Sequence, residues 1–295
     1  MTKCVKRDIK LDIKDGPTVL DVQHIAATLN LPAHFSKNTL LVCFSGGSYS
    51  RFYFQAEFTG FKDYSFADYM AAKGYAVLTL DHLGMGDSSK PDNVSCLDKT
   101  CIAAFNHAAV QSILPEFDSR PHLVGVGHSM GGMALVEQQA NHSTFDKIVV
   151  LGWTNIGLSL DTRDLDVKSR KDQYVPTDRS QMRSLFHLAD VPEDLIRQDD
   201  ALASLTPSPF AQNAIRPSIV AREACAITCP VFLAYGELDI SPDPSREVDF
   251  YKNAKRVELN ILEGSAHNHN YSASRTKLWD DIAIFANENQ IYPDL

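Results

Sequence analysis

Short apolar runs that alternate with stretches of helical patterning constrain this chain more than any other feature of its sequence. Thr39–Phe44 (TLLVCF), Tyr75–Leu80 (YAVLTL), His122–Val126 (HLVGV), Lys147–Gly152 (KIVVLG) and the start of VFLAYGELD at about 231–235 are such runs. Brief runs of this kind, bounded by turn residues, read as buried strands. Between them, 66–73, 98–114 and 130–140 carry helical periodicity; Gly74 stops the first and Pro115 the second. This alternation predicts an α/β chain with a mostly parallel central sheet flanked by helices. Two opening strands are expected at 5–13 and about 19–29. A helix near 245–253, a strand at 256–262 and a helix at about 273–287 are expected to close the chain.

The rhythm breaks once. From about Asn155 to Ala221 the sequence is polar, rich in Asp, Arg, Ser and Pro, with only short helical patterns. A chain of 295 residues can hold one large α/β domain with an insertion. The expected organisation is a core of 1–154 and 222–295, with 155–221 as a helical cap after the sixth strand. An insertion there emerges at the carboxyl ends of the strands, where open α/β sheets bind ligands. Its apolar residues, such as Leu185, Phe186, Leu188, Leu195, Ile196 and Phe210, are candidates either to recognise a ligand or to anchor the cap.

Composition excludes several classes. A formal net charge of -9 argues against a broad nucleic-acid surface, which needs clustered Lys and Arg. No run approaches the roughly 18 apolar residues of a membrane span. The first ten residues alternate charge with apolar side chains, which does not resemble a targeting segment. Cys4, Cys43, Cys96, Cys101, Cys225 and Cys229 are dispersed without a CxxC pair, so reduced thiols and a cytoplasmic protein are expected. Cys96 and Cys101 are near enough in sequence to pair. Cys225 and Cys229 lack a second ligand pair at zinc-binding spacing.

Gly127-His128-Ser129-Met130-Gly131 matches G-x-S-x-G between an expected strand and an expected helix. That context gives the pattern chemical content. A serine on a very tight strand-to-helix turn is pushed out over the sheet edge, and glycines two residues either side remove side chains that would clash. Together with Asp81–Ser89 (DHLGMGDSS) and the late GELD and GSAH segments, GHSMGG makes the core, roughly 38–154 and 222–290, resemble the α/β-hydrolase family. The resemblance does not extend over the cap.

That family orders its catalytic residues serine, acid, histidine. The resemblance therefore implies Ser129 as nucleophile, Asp239 as acid after VFLAYGELD, and His267 as base after the last strand. Glu237 competes for the acid and His269 for the base. Where some members carry the acid one strand earlier, this chain reads Gly152-Trp153-Thr154-Asn155, without a carboxylate. The oxyanion hole is expected from the backbone N–H of Met130 and of the loop after TLLVCF, at Gly47. Many relatives have His-Gly there; this chain has Ser45-Gly46-Gly47-Ser48. Gly46, Tyr49, His128 and Trp153 are candidates to contact substrate. Tyr49, Phe52, Tyr53 and Phe54 could wall an apolar pocket or pack beneath the cap.

The activity implied is hydrolysis of a small-molecule ester, lactone or thioester through an acyl-enzyme, without metal or organic cofactor. Serine at the elbow counts against the dehalogenase and epoxide hydrolase branches, which use Asp there. Hydrolysis of C–C bonds with the same triad stays open. So do cofactor-independent lyase or oxygenase chemistry, and a non-hydrolytic ligand-binding or receptor role on the same fold.

Overall fold

A computed structural model of the chain describes residues 4–14, 20–159 and 173–288. Its strands are β1 (Val5–Ile13), β2 (Gln23–Leu31), β3 (Thr39–Phe44), β4 (Ala76–Leu80), β5 (His122–His128), β6 (Lys147–Leu151), β7 (Tyr174–Val175), β8 (Thr206–Pro207), β9 (Val231–Gly236) and β10 (Val257–Leu262). Eight of them form one sheet in the order β1-β2-β4-β3-β5-β6-β9-β10. β2 runs antiparallel to both its neighbours, and from β4 to β10 every pairing is parallel.

The helices are α1 (Phe66–Ala72), α2 (Lys99–Ile113), α3 (Met130–His142), α4 (Arg183–Phe186), α5 (Glu193–Asp200), α6 (Ser208–Ala214), α7 (Ala221–Ala226), α8 (Pro244–Glu247) and α9 (Arg275–Asn287). The period-2 direction of strand side chains splits the core into two layers. Leu40, Val42 and Phe44 of β3 and Ile148 and Val150 of β6 point into one, packed with α2, α3 and α7. Leu41, Cys43, Val149 and Leu151 point into the other, with α1 and α9. Helices on both faces bury these strands entirely, which is why they read as unbroken apolar runs.

Local chemistry sets the helix starts. The Asp98 carboxylate accepts from Thr100 N and Cys101 N, both at 3.0 Å, and opens α2; Ser65 Oγ accepts from Asp68 N at 3.1 Å and opens α1. Two expectations change. The second strand is β2 at Gln23–Leu31, not 19–29; residue 19 lies outside the described residues. The expected helix at 245–253 is only the four-residue α8 followed by a 3-10 turn at Val248–Phe250. Pro244 suits a helix start, and Tyr251 leaves helical geometry at φ -99°, ψ 49°.

The described residues between β6 and β9 contribute nothing to the large sheet. They are not wholly helical, since β7 and β8 pair antiparallel beside α4, α5 and α6. Their apolar residues divide: Leu195 and Ile196 join the layer with α1 and α9, and Phe210 the opposite layer. No helix among the described residues is long and apolar enough to cross a membrane.

Candidate active site

Ser129 is the single residue between β5 and α3. It holds φ 55° and ψ -122°, which costs a non-glycine residue roughly 1–3 kcal/mol. The surroundings enforce it. Ser129 N donates to Leu151 O on β6 at 2.8 Å, and Ser129 O accepts from Gly132 N at 2.8 Å and Met133 N at 3.1 Å. A side chain at Gly127 would place its Cβ 2.5 Å from Gly131 O, and one at Gly131 would collide with Phe44 O. Helix α3 therefore sits so close to the sheet that only glycine fits at either position.

Asp239 lies just beyond β9 with its side chain fully enclosed, and it accepts four hydrogen bonds. Oδ1 takes His267 Nδ1–H at 2.6 Å and Ile240 N–H at 2.6 Å; Oδ2 takes His269 Nε2–H at 2.8 Å and Gly236 N–H at 2.8 Å. Burial alone would raise the carboxyl, but the facing His267 and His269 rings hold it well below the usual carboxylate range. A carboxylate bound to Nδ1–H fixes the tautomer of His267 and leaves Nε2 free to accept a proton. The two histidines left as alternatives by sequence thus share one carboxylate. Glu237 faces elsewhere and accepts from Gly264 N at 3.0 Å.

His267 and Ser129 line the same cavity, although no hydrogen bond joins the Ser129 hydroxyl to His267 in this structure. Gly152 passes directly beneath the His–Asp pair at φ 58°. A Cβ there would lie 2.9 Å from His267 Cε1 and Nδ1 and 3.3 Å from Asp239 Oδ1. Sequence reasoning registered Gly152 only as a position without a carboxylate. Its positive φ and this close approach give it a direct part in shaping the site.

The loop after β3 completes the surroundings. A Cβ on Gly46 would lie 2.9 Å from Ser129 Cβ, and one on Gly47 would collide with Met130 Sδ. His82 Nε2 donates to Ser45 O at 3.1 Å, while Asn106 Nδ2 donates to His82 Nδ1 at 3.0 Å, so a buried neutral histidine holds the loop's first carbonyl. Burial lowers the His82 pKa, consistent with that neutral form. In the DHLGMGDSS turn, Asp81 is buried against Arg51 and accepts from Asp87 N at 2.8 Å. The space above Asp81 is so tight that any side chain at Gly86 would strike its carboxylate.

The cavity measures about 130 Å³ and is lined by Gly47, Ser129, Met130, Trp153 and His267 from the sheet side. Met182, Leu185, Phe186, Thr206, Ala211 and Ile215 line it from the segment between β6 and β9. Gly46, Tyr49 and His128 do not line it. Tyr49 is buried, with its hydroxyl donating to Asp199 Oδ2 at 2.8 Å. The His128 ring is enclosed and its Nε2 donates to His267 O at 2.9 Å, which ties the elbow to the loop carrying His267. Tyr53 and Phe54 are core residues, and Phe52 is exposed. Among the described residues, no group of three or more His, Cys, Asp or Glu side chains is arranged to hold a metal ion.

A family model described as serine aminopeptidase, S33, matches residues 56–270. No curated protein matches the chain by sequence. Among solved structures, an esterase from Exiguobacterium antarcticum is similar at 17% identity and a TM-score of 0.68, over 94% of this chain and 99% of that one. A proline iminopeptidase from Mycobacterium smegmatis is similar at 13% identity and a TM-score of 0.64, over 95% and 97%. An N-acyl homoserine lactonase reaches 14% identity and a TM-score of 0.66, over 99% and 100%. At such identities the likeness is one of fold: the α/β-hydrolase fold, shared by proteins of different chemistry.

Proposed function

Since the chain belongs to the serine aminopeptidase S33 family of α/β-hydrolases, we propose that it cleaves a carboxylic ester, lactone or thioester through an acyl-enzyme on Ser129. The observation that carries this reading is the 2.6 Å bond from His267 Nδ1 to Asp239, with His267 lining the cavity that Ser129 lines. In this reading His267 Nε2 takes the proton of the Ser129 hydroxyl as its oxygen attacks the acyl carbon. Asp239 orients the imidazole and stabilises the imidazolium. The backbone N–H groups of Gly47 and Met130 receive the developing oxyanion. As the carbon–oxygen or carbon–sulfur bond breaks, His267 returns the proton to the leaving group. Water then repeats the sequence on the acyl-enzyme and releases the acid.

The cavity supports acyl rather than aminopeptidase substrates. Its walls are mostly apolar, and among the described residues none of those lining it is a carboxylate. The described walls offer the α-ammonium of a peptide substrate no counter-charge, and desolvating it without one is costly. Residues 155–221 serve in this reading as a cap that excludes water and meets the non-reacting part of the substrate.

The test is turnover of a chromogenic short-chain acyl ester, with labelling by a fluorophosphonate. Ser129→Ala should lower turnover roughly 10⁴- to 10⁶-fold and abolish labelling. Asp239→Asn should also be severe, because it favours the wrong imidazole tautomer. A folded Ser129→Ala protein that keeps more than about a tenth of the wild-type rate would place the nucleophile elsewhere.

A further inference from the structure

Four hydrogen bonds join Ser48, at the end of the loop after β3, to residues 179–206. Arg179 Nη2 donates to Ser48 O at 2.6 Å and Arg179 Nε to Ser48 Oγ at 3.1 Å, Ser204 N donates to Ser48 O at 2.8 Å, and Ser48 N donates to Thr206 Oγ1 at 3.0 Å. Ser48 is fully buried and holds φ 63°, a conformation that an L-residue keeps only when its surroundings impose it. Arg179 is itself enclosed. Its Nη1 donates to Asp199 O at 2.8 Å and Oδ2 at 3.1 Å, and its guanidinium lies 3.8 Å over the Tyr49 ring. Tyr49 closes the circuit by donating to Asp199 Oδ2 and accepting from Asn268 Nδ2 at 2.7 Å.

From these contacts we infer that Arg179 is a positioning residue, one that holds the Gly46–Gly47 backbone in the geometry that receives the oxyanion. Within the loop Tyr49 N donates to Gly46 O at 3.2 Å and Ser45 Oγ to Tyr49 O at 3.3 Å, and Arg179, with Ser204 and Thr206, ties this turn to the segment at 179–206. His82 pins Ser45 at the near end, and the two glycines between have no side chains with which to resist displacement. The rigid guanidinium fork reaches Ser48 O, Ser48 Oγ and Asp199 together, which a lysine cannot do. The same segment also holds the other side of the site: Leu185 O and Phe186 O accept from His267 N and Asn268 N at 3.0 Å each. Seating of the 173–214 segment and assembly of the oxyanion hole are therefore one event.

This rests on the acyl-transfer reading, and its test separates the two. Fluorophosphonate labelling of wild-type protein, lost in Ser129→Ala, tests that reading by itself. An unlabelled, inactive wild type overturns both on that readout. With labelling established, Arg179→Gln should lower kcat for a short acyl ester about 10- to 100-fold while KM changes less than about threefold, because a misplaced oxyanion donor acts on the transition state. Arg179→Lys should recover only part of the loss. Thr206→Val, which keeps the shape and removes the acceptor for Ser48 N, should lower kcat in the same selective way and covers the case in which Arg179→Gln does not fold. If Arg179→Gln, or Thr206→Val where the former does not fold, lowers thermal stability but keeps kcat within about twofold, Arg179 is an anchor of the segment and the inference fails.

Discussion

Gly152 shows how little room surrounds the His–Asp pair. Its φ of 58° disfavours any L side chain by roughly 1–2 kcal/mol, and a methyl group there would press on the His267 ring. Gly152→Ala should therefore slow fluorophosphonate labelling at least about tenfold and also lower the unfolding temperature, both read on one preparation. A variant that loses stability but labels at the wild-type rate would mean that His267 tolerates displacement. Residues such as Ser129, Asp239 and His267 were legible in the sequence because each follows a strand end that apolar patterning marks. Ser129 also has glycines at fixed distances. The family pattern favours His267 over His269, and only the fold shows that both reach one carboxylate. Arg179 left no signal at all. A single arginine in a polar stretch looks the same whether it faces water or closes a buried network.

Among the elements, β3, β4, β5, β6 and β9 were read nearly to their ends, because burial on both faces writes itself into consecutive residues. Short helices were not. α8 and the turn after it carry a helix-like pattern, yet tertiary packing allows only a few residues of it. The segment between β6 and β9 resisted reading for the same reason, its described elements being pieces of two to eight residues that are held by long-range contacts. Of its apolar residues singled out from sequence, Leu185 and Phe186 reach the cavity while Leu195, Ile196 and Phe210 are core. Substitutions within this one segment should accordingly have two outcomes. Met182→Ala and Leu185→Ala should shift the ratio of kcat/KM between a hexanoate and an acetate ester by several-fold, since one methylene of contact is worth roughly 1–3 kcal/mol. Leu195→Ala should instead cost about 2–5 kcal/mol of stability and leave that ratio unchanged. Equal loss on both esters for Met182→Ala and Leu185→Ala would assign specificity to the sheet side of the cavity.

For the molecule as a whole, buried histidines couple folding to pH. His187 is pushed down to about 4, first by burial and then by the nearby Arg183, Arg179 and His267 side chains. It stays neutral in the fold while an unfolded histidine titrates near 6.5. The stability this provides is complete above pH 6.5 and is lost as pH falls through about 4. Asp199 acts in the opposite sense. Burial raises its carboxyl to about 6, so its contribution is present below the unfolded value near 4 and disappears as pH rises through about 6. The two partly cancel in wild-type protein, and single variants separate them. Between pH 7 and pH 4, His187→Asn should lose less stability than wild type, by roughly 3 kcal/mol, in urea unfolding. An unchanged difference would show that His187 is protonated in the fold. The residues that come together at the site are also spread along the chain and so are synthesised in a fixed order. A ribosome delivers the serine first, Arg179 next, then Asp239, and His267 last of all. In the acyl-transfer reading proposed above, until β10 has docked on β9 the growing chain carries a hydroxyl with no base to activate it, so the polypeptide would stay chemically silent toward acyl compounds until its folding is nearly finished.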